Sequence, residues 1–440
     1  MPSFTSLPLI DIVETLCLHC TPSSGPCHHV HVLCPENQPY EEHKYTAALA
    51  SLCLTSRALN ALCTPILYHR PSCRKWWLLA RTLLVHDTLR EGVKELCGCA
   101  WHVFEKSEDA GLYLTLSKLH EKAVAARSSD IPDEVGDDQE LFDTAAPAMV
   151  VMAILCPNLE KLDCFIDFDD IFLPIPAGSL TNLTHVESAY ADTEGGMSFD
   201  AIWPLAKAAL NLHKLDCRAV SWCKPFTSVF ESLTELRLTL SGMDAESLEN
   251  ILRNCPRLSI FEFEAGGLVV GEDQFTPLEA QHALRHVRSL KHLGLAFDEA
   301  FFETENDDMA IQSLRNLANL EHLSLDMRCL IPYRIGDGER YTPGPDGQLI
   351  PQDPSLDGGP QLDELLLVNM IPASLRALSI WQGYYGVSPD RLASALSMLE
   401  SVALDGFPVL KSITISGRVV NTQLKSLAEI FKVKGISFEI

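Results

Sequence analysis

The sequence predicts an α/β fold in which short strands and helices alternate along most of the chain. A unit of the form Leu-x-x-Leu-x-apolar recurs from about residue 143 onward, and its first leucine returns every 21 to 32 residues. Within each unit apolar residues lie two apart, which is the period of a strand. Helix-start signals lie between several units. The recurrence, the alternation and the helix signals together predict parallel strands joined by helices.

The recurring unit is a degenerate leucine-rich repeat. One unit cannot bury its apolar residues alone, so neighbouring units are expected to stack. The prediction is an irregular leucine-rich-repeat solenoid over residues 72–440, with parallel strands concave, helices convex and the segment GISFEI as the closing strand. The anchor leucines that open the clearest units are Leu159, Leu183, Leu212, Leu233, Leu258, Leu290 and Leu320.

Helix starts between the units are predicted from capping residues. Thr276 and Glu279 have the spacing of a capping box, with proline at the first helical position. Asp244 can cap the helix that contains Leu248 and Ile251. Ser388 precedes another proline and opens a helix in the same way.

Composition limits the possible partners. Hydrophobic residues make up 47% of the 440 residues, enough for a large core, and the formal net charge is −25. Such a negative field repels phosphate backbones, so nucleic acid is not expected as the main partner. The charge fits either a basic partner or simple solubility, and the sequence leaves both open.

A second pattern precedes the repeats. The stretch from Leu49 to Pro71 predicts two short amphipathic helices. Thr55 and Ser56 can cap the second helix, and Arg57 opens it. Pro65 is expected to end that helix, because proline removes a backbone donor and clashes with the preceding turn.

With Leu7-Pro8 and the apolar helix after them, this stretch resembles the F-box, a three-helix module that binds the Skp adaptor of a cullin–RING ubiquitin ligase. The other matching segments are Leu54 to Arg57 and Ile66 to Tyr68. The chain departs from the family pattern by a Cys/His-rich insert at 21–45. The resemblance implies an F-box-like module over 1–71, whose adaptor-facing residues are Leu7, Pro8, Ile12, Leu52, Leu54, Arg57 and Leu67.

The whole chain is thus similar to fungal F-box proteins with degenerate leucine-rich repeats. This resemblance implies a substrate-recognition subunit of an SCF-type ligase that binds a Skp-type adaptor, through it a cullin, and an unknown protein substrate. It implies no catalytic residue and no cofactor. The alternative is a leucine-rich-repeat scaffold or receptor that acts outside a ubiquitin ligase.

A third interpretation is a metal-regulated binder. The insert and the residues just before it carry ligand types that suit zinc, although a second closely spaced Cys pair is missing. The alternative is a loop that is merely rich in these residue types. The residues are Cys17, Cys20, Cys27, His28, His29, His31 and Cys34.

A Gly/Pro-rich loop at 331–361 interrupts the repeats. Its six glycines and six prolines are expected to exclude a regular element. Long loops inside compact arrays often carry function, so Tyr333, Arg334, Arg340 and Tyr341 are predicted as possible substrate contacts. The alternative is a tolerated surface insertion.

The sequence lacks the familiar motifs of nucleotide binding, metalloproteolysis and serine hydrolysis. The acid pairs Asp169-Asp170 and Asp307-Asp308 point apart along a strand, so they do not predict acid/base catalysis. The 15 cysteines, with neither a secretion signal nor a membrane-length apolar run, predict buried thiols in a cytoplasmic or nuclear protein. The chain is therefore expected to bind and not to catalyse.

Overall fold

The structure is a computed structural model of the chain. It describes residues 40–71, 76–97, 151–166, 175–190, 196–223, 229–266, 274–297, 310–330, 341–343, 349–351, 365–382, 389–417 and 422–440. The chain divides into two compact units, Met1–Asp192 with Ala201–Leu212, and Thr193–Asp200 with His213–Ile440. Both units combine helices with parallel strands, so the predicted α/β class is confirmed.

The first unit contains α1 (Tyr40–Thr55), α2 (Arg57–His69), α3 (Trp76–Val85), α4 (Asp87–Gly92), β1 (Glu95–Cys97), a helical turn over 151–155, β2 (Lys161–Ile166), β3 (His185–Tyr190) and α5 (Trp203–Ala208). Strands β1, β2 and β3 pair in parallel, with Leu96 beside Leu162 and Leu162 beside Val186. All three side chains are buried, so the strand alternation forms the core of this sheet.

The second unit contains the strands β4 (Met197–Ser198), β5 (Lys214–Arg218), β6 (Val220–Trp222), β7 (Glu235–Ser241), β8 (Ile260–Ala265), β9 (His292–Ala296), β10 (His322–Asp326), β11 (Tyr341–Pro343), β12 (Leu349–Pro351), β13 (Ala377–Gln382), β14 (Ser412–Gly417) and β15 (Ser437–Glu439). Its helices are α6 (Ala245–Arg253), α7 (Pro277–Ala283), α8 (Leu366–Met370), α9 (Pro389–Gly406) and α10 (Thr422–Val433). Strands β5, β7, β8, β9, β10, β13, β14 and β15 neighbour one another in that order, each parallel to the next.

One face of these parallel strands forms the core of the second unit. The strand register aligns one buried apolar side chain per strand from β5 to β14: Leu215, Leu236, Phe261, Leu293, Leu323, Leu378 and Ile413. The seven predicted anchor leucines are no more than 2% exposed. The backbone N–H of each anchor donates to the carbonyl three residues earlier at 3.0–3.3 Å, so every anchor closes the same tight turn.

The predicted helix starts are confirmed where the structure describes them. Thr276 and Glu279 form the full capping box, and the backbone N–H of Ser247 donates to the Asp244 carboxylate at 2.6 Å. Ser56 caps α2 by accepting from the backbone N–H of Leu59 at 3.2 Å. Ser388 lies outside the described residues, although α9 begins at Pro389 as expected.

The predicted end of α2 at Pro65 is wrong. The helix continues to His69 with Pro65 inside it. Residues beyond the proline explain this, because Ile66 and Leu67 pack against the buried pair Leu49 and Cys63. Burial of these apolar side chains offsets the backbone hydrogen bond that proline removes.

The expectation that no regular element forms in the loop at 331–361 is also wrong. Strands β11 and β12 pair there in antiparallel fashion, with Tyr341 opposite Pro351 and Pro343 opposite Leu349. Proline is compatible with strand ends and edges, and the intervening sequence GPDGQ has turn-forming composition. Pro343 and Pro351 therefore stand at the ends of two paired strands.

The prediction of buried thiols is confirmed for most cysteines whose side chains the structure describes. Seven are buried thiols and Cys53 is half-buried. Burial raises the pKa of the Cys156 and Cys223 thiols to about 12, which suits small core residues and not nucleophiles. Among the described residues, no helix has the length and apolar character needed to cross a membrane.

Candidate functional site

The helical pair α1–α2 in the first unit is organised around a small apolar core. Leu49 and Cys63 are buried, and Leu52 and Leu67 pack against them. The junction between the helices is fixed by hydrogen bonds: Thr55 Oγ1 donates to the Leu52 carbonyl at 2.8 Å, and Asn60 Nδ2 donates to the Cys53 carbonyl at 3.1 Å. The pair therefore forms a defined hairpin with one face turned inward.

A second face of α2 exposes apolar side chains. Ala58, Leu62 and Pro65 are exposed and follow one another at helical spacing, so they form one stripe. Leu62 is 41% exposed, and Leu54 at the end of α1 is 88% exposed. We call Leu54, Ala58, Leu62 and Pro65 the apolar stripe. Two exposed leucines on one short helical pair make a surface suited to a protein partner.

The predicted adaptor-facing residues divide into three groups. Leu54 belongs to the apolar stripe and Arg57 is exposed at the start of α2, so a partner can reach both. Leu52 and Leu67 are half-buried in the hairpin core, so their first role is to hold α1 against α2. Leu7, Pro8 and Ile12 lie outside the described residues.

Leu62, Ala58 and Pro65 were missed by the sequence prediction. A signal for them exists, because they lie at four- and three-residue steps along α2. The pattern becomes readable only when the helix is known to continue past Pro65.

The other predicted positions are only partly described. Tyr333, Arg334 and Arg340 lie outside the described residues, and Tyr341 opens β11. The Cys/His residues of the insert lie outside them as well. Helix α1 begins at Tyr40, so the last residues of the stretch 21–45 are helical.

A second surface is the outward face of the strands in the second unit, opposite the buried leucines. An ion-pair network crosses β5, β7 and β8 on this face. Lys214 Nζ lies 3.2 Å from Asp216 Oδ2 and 3.1 Å from Glu235 Oε1. Arg237 Nε lies 2.8 Å from Glu235 Oε1 and 3.2 Å from Glu262 Oε2. Acidic and basic side chains thus largely neutralise one another here.

The network ends at two histidines. His292 Nε2 lies 3.2 Å from Glu262 Oε1, and the rings of His292 and His322 stack with centroids 5.9 Å apart. The hydrogen bond from His292 outweighs burial and holds the pKa of the Glu262 carboxyl below its usual range, with help from the Arg237 charge. The outward face therefore changes character at β9, from paired charges to imidazoles.

Comparison with known families does not assign either surface. No protein-family model matches the chain, and no curated protein matches it. The geometry of the apolar stripe and of the outward strand face is consequently the basis for any functional assignment.

Proposed function

We propose that this protein is the substrate-recognition subunit of an SCF-type cullin–RING ubiquitin ligase. In this proposal the F-box-like segment binds a Skp-type adaptor, and the repeats form a leucine-rich-repeat solenoid that holds a protein substrate. The chain contributes binding and no catalysis, uses no cofactor and works in the cytoplasm or nucleus. The observation that carries the proposal is the apolar stripe.

The apolar stripe supports the adaptor contact for a physical reason. Leu54 and Leu62 expose apolar area that costs free energy in water, at roughly 25 cal/mol per Å². The hairpin beneath them is already held by its own core of Leu49 and Cys63, so the stripe is available to a partner. An amphipathic helical surface of this kind binds a complementary apolar groove.

The repeats support the substrate contact. Their anchor leucines are buried at equivalent positions, and each closes the same turn before its strand. Stacking of such units leaves one row of side chains per strand on the outward face, and repeat proteins use surfaces of this kind for binding.

Co-expression with a Skp-type adaptor tests the proposal. The wild-type chain is expected to elute with the adaptor as a stable complex in size-exclusion chromatography. Leu54→Ala combined with Leu62→Ala removes the exposed apolar contacts and is expected to weaken the complex by about tenfold or more. Leu210→Ala, which truncates a 59% exposed leucine in the same unit, is the matched control and should retain the adaptor.

The outcomes separate the two classes of function. Truncation of Leu52 or Leu67 is unsuitable, because loss of either disturbs the hairpin core. A folded wild-type chain that elutes without the adaptor would favour the rival assignment, a leucine-rich-repeat scaffold or receptor outside any ligase. Equal adaptor binding by the wild type and the double variant would show that the apolar stripe does not contribute to the adaptor contact.

A further inference from the structure

The outward face of the second unit changes along the strand order from paired charges to mainly uncharged side chains. From β5 to β8 it carries the cations Lys214 and Arg237 together with the acids Asp216, Glu235, Glu262 and Glu264. From β9 to β14 the strand register aligns Gly294, Ser324, Ser379 and Thr414 in its middle row. In the row two residues earlier on each strand, His292 lies beside His322. The middle row of this half is therefore small and mostly hydroxyl-bearing, with imidazoles on one side and Trp381 of β13 on the other.

Cations border this half of the face. Leu375 and Leu410 close the same kind of turn as the anchor leucines, each N–H donating to the carbonyl three residues earlier at 3.1 Å. The residues after Leu290, Leu320, Leu375 and Leu410 are Lys291, Glu321, Arg376 and Lys411. The N–H groups of the last three each donate to the carbonyl of the preceding member at 2.7–2.8 Å, so these residues are neighbours across the strands. Lys291, Arg376 and Lys411 are exposed. We call Lys291, His292, His322, Arg376 and Lys411 the basic strand patch.

Two carboxylates near this patch are engaged, and a third, Glu439 on β15, is exposed beside Thr414. Glu321 Oε2 lies 3.1 Å from Arg376 Nε. Asp326 is 2% exposed, and its oxygens accept from the backbone N–H groups of Phe297 and Cys329. The row of Lys291, Glu321, Arg376 and Lys411 therefore carries three cations and one carboxylate, on a chain whose net charge is −25.

The dimensions of the patch favour a short extended segment. Neighbouring strands lie about 4.8 Å apart, so Lys291 and Lys411, three strands apart, span about 14 Å. An extended peptide of about four or five residues covers that span at about 3.3 Å per residue. A long polyanion such as a nucleic acid would place many charges in the negative field of the whole chain, whereas a short acidic segment would not.

We propose that the basic strand patch binds an extended acidic segment, rich in Asp and Glu, of a protein partner. Its carboxylates lie against Lys291, Arg376 and Lys411, and the His322 imidazole and the hydroxyls of the neighbouring rows donate hydrogen bonds. The inference rests on the proposed function only in treating that partner as a ligase substrate.

Fluorescence anisotropy with the full chain alone tests this, and a labelled peptide of alternating Glu and Ser is the probe. The Glu peptide is expected to bind about tenfold or more tightly than the same peptide with Gln or with Lys for Glu. Added salt should weaken its binding. Lys291→Glu with Lys411→Glu should abolish the preference, whereas Lys425→Glu with Lys432→Glu, two exposed lysines of α10, should leave it unchanged.

A gain-of-binding variant guards against misfolding as an explanation. Glu321→Gln removes the half-buried carboxylate beside the patch and frees Arg376, so it should tighten binding of the Glu peptide several-fold. Equal binding of the Glu and Gln peptides overturns the inference, and so does equal affinity for a single-stranded oligonucleotide of the same charge. If the Glu preference holds while no adaptor co-elutes, the patch stands and the ligase assignment fails.

Discussion

Asp326 shows how one residue can depart from the pattern of its strand. It follows the outward residues His322 and Ser324 by period two, yet it is buried. Its two oxygens accept separate backbone N–H groups, from Phe297 after β9 and from Cys329 in the next turn. Burial raises the pKa of the Asp326 carboxyl, although these hydrogen bonds favour its charged form. The side chain thus joins two neighbouring repeats.

We expect Asp326→Asn to lower the free energy of unfolding by about 1–3 kcal/mol, because asparagine has one acceptor oxygen for two N–H groups. The folded-state pKa of Asp326 is raised, so the wild type also loses stability as the pH rises through that pKa, and the variant lacks this loss. Urea denaturation at several pH values measures both effects.

Asp244→Asn is the matched control for this change. Asp244 accepts one backbone N–H at the start of α6, and asparagine caps helices about as well as aspartate. Its stability should therefore change by less than about 0.5 kcal/mol. Equal losses in the two variants would show that the paired acceptors of Asp326 have no special role.

At the scale of the element, the repeated unit is a tight turn followed by a strand. The anchor leucine closes the turn. In several repeats the residue before it donates a hydrogen bond to the turn of the preceding repeat. Asn319 Nδ2 donates to the Arg288 carbonyl at 2.9 Å, and Ser289 Oγ donates to the Leu258 carbonyl at 2.7 Å. Hydrogen bonds between turns therefore accompany the apolar stacking of the strands.

Leu290→Ala is expected to lower the free energy of unfolding by about 2–5 kcal/mol, because it leaves a cavity at a fully buried anchor. Leu365→Ala makes the same chemical change at a 45% exposed leucine of the second unit. It should lower the free energy of unfolding by less than about 1 kcal/mol. Thermal or urea denaturation of the two variants measures the difference. Similar losses at both sites would contradict an anchoring role for Leu290.

Much of the element order could be predicted from the sequence. The spacing of residues such as Leu233, Leu258 and Leu290 indicates where each strand starts, because an apolar anchor and strand alternation are local signals. The caps at Asp244 and Thr276 are local as well, and both are confirmed.

The remaining features depend on contacts that the local pattern does not contain. Helix α2 continues past Pro65 because Leu67 packs against α1, and this contact is remote in sequence. The same pairing makes Leu52 a core residue and exposes Leu62, so the candidate site could be predicted only in part. Asp326 is buried for a comparable reason, since its partner Phe297 comes from the preceding repeat.

At the scale of the whole molecule, the excess of negative charge acts on stability in two opposed ways. Like charges repel at neutral pH, with a net charge of −25. The stability of the fold nevertheless depends on particular carboxylates remaining ionised. Burial would raise the pKa of Glu187, but hydrogen bonds from His185 and Lys161 outweigh it and hold the pKa at about 2. The Lys161 Nζ atom lies 2.7 Å from Glu187 Oε1.

We therefore expect the urea midpoint of the chain to rise as the pH falls from about 8 to about 5, and to fall below about pH 4. The net negative charge decreases in magnitude as the pH falls through the first range, which weakens this repulsion. In the second range Glu187, whose folded-state pKa is lowered, loses its stabilising contribution as the pH falls from about 4.5 towards 2.

Glu187→Gln should flatten this fall of the midpoint, whereas Glu246→Gln, a substitution on α6, should not. Screening by added salt should raise the midpoint at pH 8 more than at pH 5. A midpoint that keeps rising down to pH 3 would contradict the role given to the paired carboxylates.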